Sequence, residues 1–272
     1  METSILPNRS ILVLDGPDTL AMLERLVTSN THDWEVGEAR YGALLTPQGK
    51  VIADYIAHRT ENGALLDTAT HAVGDLSKRL KMFRLRAKVE IDVDGKQAVA
   101  ITDDGTADPR SPDLPKRAIV ALGDAPELNQ EDWDAIRIPA GVSEWGFDFT
   151  GAEVFPWEIN MDRMNGVDLK KGCFVGQEVV SRMHRRGKLR KRTVVLEGEN
   201  LEAGQDVTAG GTLGSITSAS PTHALARLRV DRLAKALEDG ESLLAGDSPV
   251  QLVETGWLKD EMAAALAPSG AD

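Results

Sequence analysis

Apolar positions along the chain fall into short runs bounded by turn residues, and the spacing changes character from one region to the next. Ile11 to Leu14 form an apolar run that stops at Asp15-Gly16-Pro17-Asp18, and Leu20, Leu23, Leu26 and Val27 then recur at helical spacing. The order is strand, turn, helix. Ala43-Leu44-Leu45 meets the turn residues Thr46-Pro47-Gln48-Gly49, and the alternation from Val51 to Ala57 predicts the second arm of an antiparallel hairpin. Beyond residue 65 the pattern predicts a further strand, a helix from Val73 to Leu85, and a strand from Ala87 to Val93 closed by Asp94-Gly95. Segment 103–116 is dense in Asp, Pro and Gly, which predicts an exposed loop or flexible join. Val175, Val179, Val180 and Met183 make an apolar helical stripe. From Lys191 onward short β-prone runs take over: Thr193 to Leu196, Thr212 to Ser218, Ala224 to Val230 and Val250 to Glu254, parted by glycine turns such as Gly210-Gly211. That pattern predicts a small barrel or sandwich. The Ala-rich tail after Trp257 is expected to fray.

The chain of 272 residues is long for one core and comfortable for two or three domains. Its 31 Lys+Arg against 43 Asp+Glu give a net charge of −12, which disfavours a general nucleic-acid coat. The longest stretch free of charged residues, Val207 to Ala226, is filled with Gly, Ser and Thr, so no membrane association is expected. The opening METSILPNRS lacks a basic segment followed by an apolar run, and a cleaved secretion signal is not expected. One cysteine, Cys173, allows no internal disulfide and no metal or iron–sulfur site made from cysteines of one chain. The expected compartment is a reducing cytoplasm.

Candidate chemistry concentrates between residues 133 and 192. Lys170-Lys171-Gly172-Cys173-Phe174-Val175-Gly176-Gln177-Glu178 is a glycine-punctuated turn that opens a helix. Free amides at a helix start lower a thiol pKa, so Cys173 is either an activated thiol or a small buried hydrophobe. Arg182, Arg185, Arg186, Lys188, Arg190, Lys191 and Arg192 put seven basic residues in eleven. They read as a solvated helix end, a phosphate track, or a seat for an anionic ligand tail. Phe174 is the only aromatic nearby, which argues against a stacking platform for single strands. Upstream, Glu158 sits in Pro156-Trp157-Glu158-Ile159-Asn160 near Trp133, Trp145, Phe147, Phe149 and Phe155. A carboxylate among aromatic rings suits a flat heterocycle with adjacent N–H donors; the alternative is a core of aromatics with Glu158 at the surface.

The stretch from Asn165 to Glu178 resembles the signature of the YgfZ family of folate-binding proteins, relatives of the glycine-cleavage T-protein. Gly16-Pro17-Asp18, the hairpin Leu44 to Lys50, Ala140-Gly141 and Gly214 to Ser218 add to the resemblance. It implies an α+β fold, a T-protein-like ring of two α+β portions and a C-terminal small β-barrel. The portions are expected at 1–102, 103–190 (carrying the signature) and 191–272. It further implies binding of tetrahydrofolate or a one-carbon derivative, and a role in assembly or repair of iron–sulfur enzymes, including the radical-SAM tRNA-modifying type. Client or cluster-carrier proteins would be the partners. By the same resemblance Trp133 and Glu158 fall at folate positions, Lys171, Cys173, Gln177 and Glu178 belong to the signature, and Arg182 follows Glu178 one helical turn on. Cys173 would be the residue tied to the cluster-related role. The T-protein hairpin ends in adjacent aspartates where this chain has Ala53-Asp54, and Pro139 stands where the family usually has glutamate. Asp54 would be the catalytic group if the chain is instead a tetrahydrofolate-dependent aminomethyl or one-carbon transferase.

Overall fold

The computed structural model describes residues 2–185 and 190–267. The chain forms two compact units, and it passes between them repeatedly: Met1–Trp133, Glu144–Pro156 and Asn160–Gly187 build the first, while Asp134–Ser143, Trp157–Ile159 and Lys188–Asp272 build the second.

The first unit contains β1 (Ser4–Ile5), β2 (Arg9–Asp15), α1 (Thr19–Leu26), β3 (Ala39–Leu45), β4 (Val51–Arg59), β5 (Gly63–Ala69), α2 (Thr70–Arg84), β6 (Glu90–Asp94), β7 (Gln97–Thr102) and β8 (Lys116–Ala121). A five-stranded antiparallel sheet has the order β3-β4-β5-β2-β6, and a three-stranded sheet the order β1-β7-β8. On one face of the larger sheet Leu12, Leu14, Leu44, Ala53, Tyr55 and Leu66 pack with Met22 and Leu23 of α1 and Leu76 and Leu80 of α2. Side chains alternate along a strand, so the neighbours of these residues project to the opposite face. There Ile11 and Ile56 flank Asp67 in register, and Ala43 lies opposite Asp54.

Segment 103–116 departs from its expected exposure. It joins β7 to β8, which are paired in register, and it buries Asp108, Arg110 and Leu114. Two of the polar residues that predict a solvated loop, Asp108 and Arg110, are instead spent on buried ion pairs, while Asp103, Asp104 and Asp113 stay exposed. A third helix, α3 (Gln130–Arg137), begins in the first unit, which also holds α4 (Gln177–Arg185).

The second unit is a closed barrel of β9 (Lys191–Gly198), β10 (Asp206–Thr208), β11 (Thr212–Ala219), β12 (His223–Arg229), β13 (Leu244–Ala245) and β14 (Ser248–Leu252), in the order β10-β11-β12-β9-β14-β13. Closure comes from pairing of Val207 with Ala245. Helices α5 (Val230–Glu238) and α6 (Gly256–Leu266) pack Leu233, Leu258 and Met262 into the barrel core. The tail expected to fray is therefore folded as far as Leu266: Leu258 and Met262 fall one helical turn apart, which buries them on one face.

Candidate functional site

The signature loop is pinned to the first unit by hydrogen bonds rather than by an apolar plug. Lys171 is buried, and its ammonium donates to Val27 O at 2.9 Å, to Ser29 O at 2.6 Å and lies 3.4 Å from Glu24 Oε2. Burial pulls the Lys171 pKa below its ordinary value against the pull of Glu24. Burial also pushes the Glu24 carboxyl up, but the amide and hydroxyl of Thr31 together with Lys171 outweigh it and hold it low. Asp168 Oδ1 accepts the amides of Lys170 and Lys171, and Asp168 Oδ2 takes Asn30 Nδ2 at 2.7 Å. Thr28 closes the contact, with its hydroxyl on Gly166 O at 2.6 Å and its carbonyl on the Asp168 amide.

Downstream the loop turns at Gly176, where φ is +83° and a Cβ would stand 2.7 Å from Thr46 O. The hairpin turn and the signature turn thus meet backbone to backbone, and Gly49 faces Val179 and Val180 of α4. Between these anchors Cys173 is exposed. The helix begins only at Gln177, four residues later, so the thiol lies outside the first turn whose free amides would act on it. That corrects the reading of Cys173 as a group at the helix start. Gln177 reaches back with Nε2 3.4 Å from Lys171 O, while Glu178 and Arg182 are exposed on α4.

Asp54 and Trp133 belong to a different construction in the same unit, an ionic layer between the two sheets. Arg9 Nε donates to Asp67 Oδ1 at 2.5 Å, and Arg117 bridges Asp67 at 2.8 Å and Asp108 at 2.7 Å. Arg110 holds both oxygens of Asp108, at 3.0 and 2.8 Å. Burial raises the carboxyls of Asp67 and Asp108, but the facing guanidinia (Arg9 and Arg117 for Asp67, Arg110 and Arg117 for Asp108) more than reverse it and hold both low. Trp133 is 1 % exposed, donates its indole N–H to Glu144 Oε2 at 2.8 Å and lies under the Arg117 guanidinium at 5.4 Å.

Asp54 is the exception in this layer. Tyr41 donates its hydroxyl to Asp54 Oδ2 at 3.1 Å, while Oδ1 is buried with no hydrogen-bond partner among the described residues. Burial raises the Asp54 pKa despite Arg9, Arg110 and Tyr41, and burial together with Asp54 raises that of Tyr41. An orphaned, buried acceptor of this kind fits a ligand N–H or a protonated ring nitrogen. Tyr41 also lines a cleft of about 460 Å³ with Ser29, Asn30, Arg40, Pro109 and Asp168, which places Asp54 behind the cleft wall. Along the hairpin Ala53 faces the apolar core and Asp54 the ionic layer.

Glu158 lies in the second unit, half-buried on the short 3-10 helix Pro156–Ile159. Arg192 donates to Trp157 O at 2.8 Å and Thr193 Oγ1 to Glu158 O at 2.8 Å, so the first two barrel residues hold this turn. Arg192 is fully buried and also grips Glu261 of α6, at 2.9 Å through Nε. It is therefore not part of a surface basic patch. Arg182, Arg185, Arg190 and Lys191 are exposed, and Arg186 and Lys188 lie outside the described residues.

Sequence reading brings out the signature segment and Asp54 but misses Arg9, Asp67, Asp108, Arg110, Arg117, Glu144, Tyr41 and Glu24. A signal was present for one of them: Asp67, like Asp54, interrupts an otherwise apolar strand, where an unpaired carboxylate is too costly to keep. No group of three or more His, Cys, Asp or Glu able to hold a metal occurs among the described residues, and no helix there is long and apolar enough to cross a membrane.

Comparison with known proteins adds relatives to this geometry. Residues 190–260 match the family model of the CAF17 C-terminal beta-barrel domain. The chain is similar to the mitochondrial iron–sulfur cluster assembly factor IBA57 homologue of Mycosarcoma maydis, 31% identical over 223 residues, covering 70% of this chain and 55% of the relative. It is likewise similar to the IBA57 homologue of Neurospora crassa, 28% identical, covering 69% of this chain and 51% of the relative. The chain thus spans about half the length of the curated relatives it matches. Its fold is that of the glycine cleavage system aminomethyltransferase T from Bartonella henselae, with a TM-score of 0.72 at 15% identity over 94% of this chain and 86% of that one. The α+β fold with a C-terminal barrel expected from the sequence is therefore the fold observed. The expected cytoplasmic compartment is overturned by relatives named as mitochondrial. One cysteine excludes an internal disulfide but does not name a compartment.

Proposed function

We propose that this chain is a folate-binding accessory factor for assembly or repair of iron–sulfur proteins, with Cys173 as the residue that meets the cluster. The observation that carries this reading is the similarity over 223 residues to a relative named as an iron–sulfur cluster assembly factor. Exposure of Cys173 on a loop fixed at both ends supports it, because a ligand donated to a shared cluster has to be reachable and held in place. One thiolate cannot hold a cluster alone, so the remaining ligands come from the iron–sulfur client or carrier, with enzymes of the radical-SAM tRNA-modifying type among the clients. The cluster is cargo in this scheme.

Tetrahydrofolate, when bound, supplies a carrier nitrogen for one-carbon groups. Glu158, in the second unit, would pair with the pterin edge; in the first unit, taken by itself, Asp54 has an orphaned Oδ1 that would suit a ligand nitrogen. Trp133 serves as a packed wall, since its indole N–H and one face are already taken. Lys171 and Gln177 act by holding the signature loop. Glu178 and Arg182 present an exposed pair on α4, with Arg182 drawing in the anionic ligand tail.

The test is complementation of a strain lacking the protein, read as activity of iron–sulfur enzymes, beside anaerobic calorimetry with tetrahydrofolate. Cys173→Ala is expected to fail in complementation while binding folate normally, and Glu158→Ala to weaken folate binding. Full rescue by Cys173→Ala would overturn the assignment. The raised pKa and unpartnered oxygen of Asp54 favour one further reading, a one-carbon or aminomethyl transferase with Asp54 moving a proton at the folate nitrogen. It requires methylenetetrahydrofolate to form from an aminomethyl donor, and that formation to be lost in Asp54→Asn.

A further inference from the structure

The turn after α2 displays an apolar residue in a conformation it disfavours. Leu85 is 86% exposed, with φ 52° and ψ −109°. Ala87 N donates to Arg84 O at 2.9 Å, so residues 84–87 form a type II′ turn with Leu85 at the position that calls for glycine. Met82, one turn earlier, is 60% exposed. The exposure does not come from a loose loop. Arg84 Nη1 donates to Val89 O at 2.9 Å, and Lys88 N donates to Asp18 Oδ2 at 2.8 Å. Gly16 lies flush against this turn, since a Cβ there would stand 2.1 Å from Lys88 O. The Gly16-Pro17-Asp18 motif thus acts as a bracket: Asp18 makes no cap bond to α1 and holds the turn that carries Leu85. Strain kept in place by three separate contacts, on a side chain that buries almost nothing, marks a surface built for a partner.

The charge around it states what kind of partner. Residues 76–89 contain Lys78, Arg79, Lys81, Arg84, Arg86 and Lys88 and no acid, in a chain of net charge −12. Lys81 pairs with Asp92 and Arg79 with Asp75, whereas Lys78, Arg86 and Lys88 stand exposed. A cleft of about 420 Å³ opens beside the turn between Pro17, Arg84 and Lys88. Anionic lipid fits poorly, because exposed Glu90 and Asp92 on the neighbouring strand would meet the same flat, negative surface. A protein carries its charge in patches and escapes that conflict.

We infer that Met82, Leu85, Arg86 and Lys88 form a docking knob for an acidic protein surface with an apolar socket. Resting on the function proposed above, that partner is the iron–sulfur protein served. The test places a photo-crosslinking amino acid at position 85 of the full chain in cells and identifies what is captured. The expected result is one acidic iron–sulfur protein, with capture reduced by about tenfold in Arg86→Glu/Lys88→Glu, as for loss of well-placed interface charges. The crosslinker at exposed Val36 should capture none of it. No captured protein, capture that survives charge reversal, or capture of a second copy overturns the docking surface. So does sedimentation with phosphatidylglycerol vesicles that Leu85→Asp abolishes. Charge-dependent capture of an acidic protein that never carries a cluster sustains the knob and overturns the functional reading instead.

Discussion

Replacing Leu85 by glycine is expected to stabilise the first unit. Holding a leucine in a sparsely populated positive-φ region costs about 1–3 kcal/mol, and glycine releases that strain. Against this, glycine adds backbone freedom to the unfolded chain worth about 0.5–1 kcal/mol. Because Leu85 is 86% exposed, the apolar burial lost is small, on the order of 0.3 kcal/mol when scaled from about 1.5–3 kcal/mol for complete burial. The net gain is about 1 kcal/mol, or roughly 2–4 °C in the thermal midpoint of a unit of this size. Leu85→Ala is the control, since it removes the side chain and keeps the Cβ that clashes. It should leave the midpoint unchanged or slightly lower. Calorimetric scans of the three proteins decide the matter, and a glycine variant that melts at or below the alanine variant refutes the strain argument. With the crosslinker moved to exposed position 82, a more stable Leu85→Gly protein that no longer captures the partner would separate what the turn does for folding from what it does for recognition.

Other expectations concern the site. Asp54 has a folded pKa above its unfolded value, so its favourable contribution is complete below the unfolded pKa and is lost as pH rises through the folded one. Asp54→Asn should therefore gain stability relative to the parent as urea midpoints are followed from about pH 4 upward, and a constant difference across that range counts against the burial argument. Lys171→Met leaves the buried carbonyls of Val27 and Ser29 without a donor, with an expected loss of about 2–4 kcal/mol. Amide exchange across residues 166–174 should accelerate in that variant. Gly176→Ala should lower the urea midpoint by the equivalent of about 1–3 kcal/mol, whereas Gly172→Ala, with open space around its Cβ, should be near neutral. Equal effects of the two would argue against the backbone contact with Thr46.

Local pattern carried most of the elements. The hairpin on either side of Thr46-Pro47-Gln48-Gly49, α1, α2 and the main barrel strands follow from apolar period and turn residues alone. What the chain hides is pairing between distant charges. Asp108 and Arg110 sit in a composition that predicts solvent, and their burial depends on Arg117 and Asp67, the latter more than forty residues away. The same is true of Trp133, whose partner Glu144 follows α3, and of Arg192, which a basic run disguises as surface until Glu261 and Trp157 are seen around it. Cys173 was misplaced for a different reason. Gly172 and Gly176 punctuate the segment equally, and only the close approach of Gly176 to the hairpin turn shows where the helix can begin.

The discontinuous make-up of the two units sets an order on synthesis. Strands and helices of the first unit leave the ribosome early, yet its ionic layer lacks Glu144 and its hairpin lacks the facing signature turn until residue 176 has emerged. The nascent unit must therefore wait, with Trp133 and the Arg9 pair short of one acidic partner. The barrel inherits a matching debt to earlier chain. A fragment starting at residue 190 would expose the Arg192 guanidinium and the Thr193 hydroxyl without the carbonyls of Trp157 and Glu158, so the segment that matches a barrel family by itself is not the segment that can be cut out and expected to fold.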